Sequence, residues 1–110
     1  MLAESDKLLI QTLKRRLQEV APDRIQSVIV YGSRVWGQAG PDSDLDVAVI
    51  IQGLTPELEE ALHEAAYRVM WDQDFAPLIS LKVFEAGNFA ALQEKGFSFY
   101  RKVVREGIAL

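Results

Sequence analysis

The chain contains no cysteine, a single histidine and no long apolar run. Without cysteine there is no disulfide framework and no thiolate metal site, a composition that fits a reducing cytoplasm. The one histidine, His63, stands in a helical stretch with no paired motif around it and is read as surface or boundary. No apolar run approaches the length of a membrane span. The opening residues, MLAESDKLLIQ, mix charges early and lack a signal-peptide core. Basic charge is also scarce. Twelve Lys and Arg against sixteen Asp and Glu give a net charge of −4 and a pI of about 4.9. Tight, non-specific binding of DNA or RNA needs a basic footprint, so nucleic acid is not expected as a tight partner. Lys14-Arg15-Arg16 and Arg101-Lys102 with Arg105 are read as solvated helix faces. Internal repeats, low-complexity segments and domain linkers are missing too.

What is present suffices for a core. A chain of 110 residues that is 49% hydrophobic is expected to form one domain over 1–110 and to bury roughly two-thirds of its unfolded surface.

The most informative stretch is Gly32 to Ile50, GSRVWGQAGPDSDLDVAVI. Gly32-Ser33 follows one apolar run; ten residues later Asp44 and Asp46 open a second. In an extended strand alternate side chains share a face, so Asp44 and Asp46 project together. Two adjacent carboxylates repel unless a cation sits between them. Mg²⁺ suits such hard oxygen ligands and completes its shell with water and substrate phosphates. Glycine after the first strand lets backbone N–H groups and the Ser33 hydroxyl approach a phosphate. The stretch therefore pairs a phosphate cradle with a metal clamp. By composition alone, Gly, Ser, Asp and Asp at these spacings arise in on the order of one chain in a thousand.

Gly-Ser, ten residues, then Asp-x-Asp resembles the signature of the nucleotidyltransferase superfamily that includes DNA polymerase beta and kanamycin nucleotidyltransferase. The fuller string is similar to that of the minimal nucleotidyltransferase (MNT) proteins. Gly32, Ser33, Arg34, Gly37, Ala39, Ser43, Asp44 and Asp46 match their pattern; Trp36 replaces the usual second arginine and Val47 the usual leucine. The resemblance implies an α/β (α+β) fold, a small mixed sheet of three to four strands flanked by helices.

Taken in order, Ser5 to Val20 reads as an amphipathic helix with Leu9, Leu13, Leu17 and Val20 on one stripe. Ile25 to Tyr31 is a β-branched strand. Arg34 to Gln38 is expected to make one helical turn, Gly40-Pro41-Asp42 a turn, and Asp44 to Ile51 the second strand. Thr55-Pro56-Glu57 opens a helix running to about Trp71. Asp74 to Phe84 is expected to be a third strand, with Pro77 marking an edge position or a bulge near its start. Asn88 is read as the cap of a short helix ending near Gly96. Ser98 to Glu106 is the last helix, stopped by Gly107, with Phe97, Phe99, Tyr100 and Val104 packing it onto the sheet.

The resemblance further implies two Mg²⁺ ions, a nucleoside triphosphate (ATP leading) and a third acid at the start of the next strand. Asp74 occupies that place, with Asp72 as the alternative. Asp44, Asp46 and Asp74 are then the catalytic and metal-binding set, and Gly32, Ser33, Arg34 and Ser43 the nucleotide-binding set. Arg34 either adds charge against the triphosphate or forms an ion pair. MNT proteins are often encoded beside HEPN-domain proteins, and some pairs act as antitoxin and RNase toxin, with AMP moved to a toxin tyrosine. The same role is implied here, and an acidic chain suits a basic partner. Because the sequence stops at Leu110, no second domain is expected to close over a substrate, unless a homo-oligomer supplies one. The alternative function is a weakly catalytic or non-catalytic binding module that neutralises a partner by covering it, with Trp36 or Phe99-Tyr100 as anchors. A Mg²⁺ nuclease shares the carboxylate logic but leaves Gly32-Ser33 unexplained.

Overall fold

The computed structural model describes residues 2–36 and 43–110. The expected turn at Gly40-Pro41-Asp42, the far end of the Arg34–Gln38 turn, and motif residues Gly37 and Ala39 lie outside the described residues.

The described residues form a four-stranded mixed sheet with helices on both faces. In chain order the elements are α1 (Glu4–Val20), β1 (Ile25–Tyr31), α2 (Ser33–Trp36), β2 (Leu45–Ile51), α3 (Pro56–Asp72), β3 (Ile79–Glu85), α4 (Ala86–Glu94), α5 (Ser98–Glu106) and β4 (Ile108–Ala109). The strand order is β3-β2-β1-β4, with β2 and β3 parallel and both other pairs antiparallel.

β2 sits inside the sheet and is covered on both faces, which explains its unbroken run of apolar residues. Leu45, Val47, Val49 and Ile51 join Leu9, Leu13 and Leu17 of α1 and Leu62, Ala66 and Val69 of α3 in the larger core. Ala48 and Ile50 face the other way, onto Ile29, Phe89 of α4 and Val103 of α5. Each fully buried Val, Leu or Ile contributes about 1.5–3 kcal/mol to folding. α3 starts as its sequence predicts: the Thr55 hydroxyl accepts from the Leu58 N–H at 3.1 Å, and Pro56 stands in the first turn.

Three local expectations are corrected, the start of β3, the cap of α4 and the packing of α5. β3 begins at Ile79, not Asp74. Asp74 and Phe75 form the turn that ends α3, both at positive φ, and the Phe75 N–H donates back to the Met70 carbonyl at 2.8 Å. Pro77 therefore precedes β3, and the edge position that it predicts holds for that strand. The cap of α4 is Glu85, whose carboxylate accepts from the Gly87 and Asn88 N–H groups, rather than Asn88. α5 is anchored by buried Val103, while Val104 and Phe97 are exposed. The two residues of β4 close the second edge of the sheet, where Leu110 N–H also donates to Val28 O.

Candidate nucleotide site

The site forms where β1 ends and β2 begins. Antiparallel pairing sets Tyr31 opposite Asp46, so Gly32 falls beside the Asp46 side chain. Gly32 has φ +86°, and a Cβ there would collide with the Asp46 carboxylate, its Oδ2 first. Glycine is required twice over, by the backbone conformation and by the space.

Asp44 is exposed and Asp46 is partly buried. Burial raises the pKa of the Asp46 carboxyl, Lys82 of β3 lowers it, and Asp44 raises it again. The carboxylates at 44 and 46 therefore sense each other, as their spacing implied. Tyr31 shares the site's face. Its phenol is pushed up to about 12 by burial and then by Asp46. Its hydroxyl is buried with no hydrogen-bond partner among the described residues.

Beside the cradle lies a pocket of about 360 Å³ lined by Tyr31, Gly32, Ser33, Phe99, Lys102, Val103 and Glu106. Ser33 is exposed at its edge. Lys102 lies within 4.0 Å of Glu106, a weak, exposed pair one helical turn apart.

Arg34 is engaged in protein contacts. Its Nη1 meets the Asp6 carboxylate at 3.1 Å with both side chains largely buried, and its Nε donates to the Ser43 carbonyl at 2.7 Å. One guanidinium thus ties the start of α1 to the residue that leads into Asp44. The ion pair that the sequence offered as one role for Arg34 is formed, buried rather than at the surface. The sequence reading missed Asp6. The signal was an acid on the apolar stripe of α1, in line with Leu9, Leu13 and Leu17.

The structure does not bring Asp74 or Asp72 to Asp44 and Asp46. Asp74 is exposed in the turn after α3, and Asp72 lies 3.8 Å from Arg16. Among the described residues no group of three or more His, Cys, Asp and Glu side chains could hold a metal ion. The Asp44–Asp46 pair, with a cradle held open by Gly32, fits one Mg²⁺, which takes one or two carboxylates and leaves its other positions to water and phosphate.

Asp-x-Asp beside a Gly-Ser cradle on a mixed α/β sheet defines a nucleotidyl-transfer architecture. A family model described as "Nucleotidyltransferase domain" matches residues 9–104, and the chain belongs to that family. No curated protein matches. Among solved structures, the fold is similar to a chain of one described as "Crystal structure of the toxin-antitoxin with AMP-PNP", with a TM-score of 0.56 and 19% identity, covering 90% of this chain and 69% of that one. At that identity the likeness concerns the fold. Among the described residues, no helix is long and apolar enough to cross a membrane.

Proposed function

We propose that this chain is a Mg²⁺-dependent nucleotidyltransferase of a toxin–antitoxin pair, moving AMP from ATP to a hydroxyl of its partner, a tyrosine of a HEPN-type toxin. The observation that carries the transferase reading is the close packing of Gly32 on the Asp46 carboxylate, which leaves a side-chain-free cradle against a carboxylate pair. The donor and the pairing are supported by the fold likeness to a toxin–antitoxin structure containing AMP-PNP. Residues 1–110 are proposed to act as one domain.

When bound, Mg²⁺ would neutralise phosphate charge and orient the triphosphate. Asp44 and Asp46 hold it. Backbone amides at Gly32 and the Ser33 hydroxyl receive the phosphates. Arg34 acts indirectly: its bonds to Asp6 and Ser43 fix the approach to Asp44. The acceptor oxygen bonds to the α-phosphorus, the bond to the bridging oxygen breaks and pyrophosphate leaves, and the hydroxyl proton passes to solvent water.

The test is label transfer in a lysate of the source cell with Mg²⁺, comparing ATP labelled at the α- and γ-phosphate. Transfer of α label alone, lost in Asp46→Asn, is the expected result. Transfer of γ label means a kinase-like reaction and overturns the mechanism. A second reading, a binding module that neutralises a toxin by covering it, is favoured by one observation: the third acid does not join Asp44 and Asp46. Under that reading Asp46→Asn still neutralises the partner.

A further inference from the structure

The parallel pairing of β2 with β3 places Ser80 in register with Asp46, and Lys82 in register with Ala48 two residues further along the same face. The neighbouring strand at Asp46 thus carries a hydroxyl and an ammonium. Strands lie about 4.8 Å apart, so a carboxylate at position 80 would reach ions held by Asp46; serine presents no charge there. Lys82 is exposed on the edge strand, on the face it shares with Ser80 and Asp46.

Charge accounting points the same way. Two divalent ions about 3.5–4 Å apart repel strongly and are held by carboxylates that bridge or flank both. Among the described residues of these two strand ends, the Asp44 and Asp46 carboxylates face the Lys82 ammonium, a balance suited to one divalent ion with the triphosphate. We propose that Lys82 stands in for a second cation, so that the site binds a single divalent ion per chain. This rests on the nucleotidyltransferase reading above, and it departs from the two-ion expectation drawn from the sequence.

The experiment is Mn²⁺ binding to the full chain, with a non-hydrolysable ATP analogue at saturating concentration, read by electron paramagnetic resonance. The expected result is one bound Mn²⁺ per chain with an uncoupled spectrum. Lys82→Gln removes an exposed positive charge without touching the core, and tightens Mn²⁺ binding roughly tenfold at low salt. Ser80→Asp combined with Lys82→Gln gains a second ion and a spin-coupled spectrum. Two coupled ions on the wild-type chain overturn the proposal and leave the nucleotidyltransferase reading standing. No ion and no analogue bound to folded wild type overturns both. Unchanged affinity in Lys82→Gln overturns the role given to that residue. If the double variant fails to fold, the wild-type stoichiometry and the Lys82→Gln affinity still decide.

Discussion

Tyr31 and Asp46 are register partners across β1 and β2, and the Asp46 carboxylate makes the Tyr31 phenol harder to ionise, adding to the effect of burial. The last residue of one strand and the first acid of the next thus build one electrostatic unit, directly beside the glycine of the cradle.

From this pairing follows a titration. The chain has three tyrosines, and one of them should ionise near pH 12, seen as a late step in ultraviolet absorbance and absent in Tyr31→Phe. The unfolded chain releases this proton near the ordinary phenol value of about 10, the folded chain only near 12. Stability should therefore fall as pH rises through that window. Because the hydroxyl is buried without a partner among the described residues, Tyr31→Phe should be neutral or stabilising by up to about 1 kcal/mol in urea unfolding.

Asp46→Asn should separate function from stability. Burial raises the Asp46 pKa, opposed by Lys82 and reinforced by Asp44. The folded chain therefore holds this proton more tightly than the unfolded one. Its contribution favours folding at low pH and is lost as pH rises above the ordinary carboxylate range, near 4. Metal-free Asp46→Asn should melt above wild type at neutral pH, with the difference shrinking toward about pH 4. Mn²⁺ binding and nucleotidyl transfer should be abolished. A variant that melts lower throughout would show that the carboxylate is held by contacts that favour its charge.

Gly32→Ala meets two penalties, a left-handed backbone and a collision with Asp46. A non-glycine residue in that conformation costs about 1–2 kcal/mol, and displacement of the carboxylate adds to it. Thermal melting should report a loss of about 2 kcal/mol or more, and binding of the ATP analogue should fall more steeply than stability does.

Asp6→Ala leaves the Arg34 guanidinium largely buried beside a lost partner. Removing one member of a buried pair costs about 3–5 kcal/mol, measurable as a lower midpoint in urea. Arg34→Lys with Asp6 intact should also lower the midpoint, because a single ammonium cannot bond Asp6 and the Ser43 carbonyl with arginine's fork geometry. Replacing both residues by leucine should cost less than Asp6→Ala alone.

Much of this molecule was legible in its residues. The span of β1 and that of α5 follow from periodicity and from Gly107 at the helix end, and α3 from Thr55 and Pro56. The closeness of Gly32 to the acids was legible from their spacing, although β2 begins at Leu45 rather than at the expected Asp44, which leads into the strand. The fold class followed from that motif and its resemblance. Local pattern misled at Asp74–Phe75. An apolar stretch after a helix reads as a strand, but here Phe75 turns back onto Tyr67 and Trp71 at 5.5 and 5.8 Å between ring centroids, and β3 waits until Ile79.

Residues and their spacing determined which groups are proposed to carry the chemistry, since conformation and donor type within a short stretch are local properties. Only the tertiary structure decided which groups meet from distant positions. It joined Asp6 to Arg34 across 28 residues, added β4 to the edge of β1, and brought Ser80 and Lys82, rather than Asp74, alongside Asp46. Strand register and buried ion pairs depend on how separate segments pack, and no window of neighbouring residues encodes that distance.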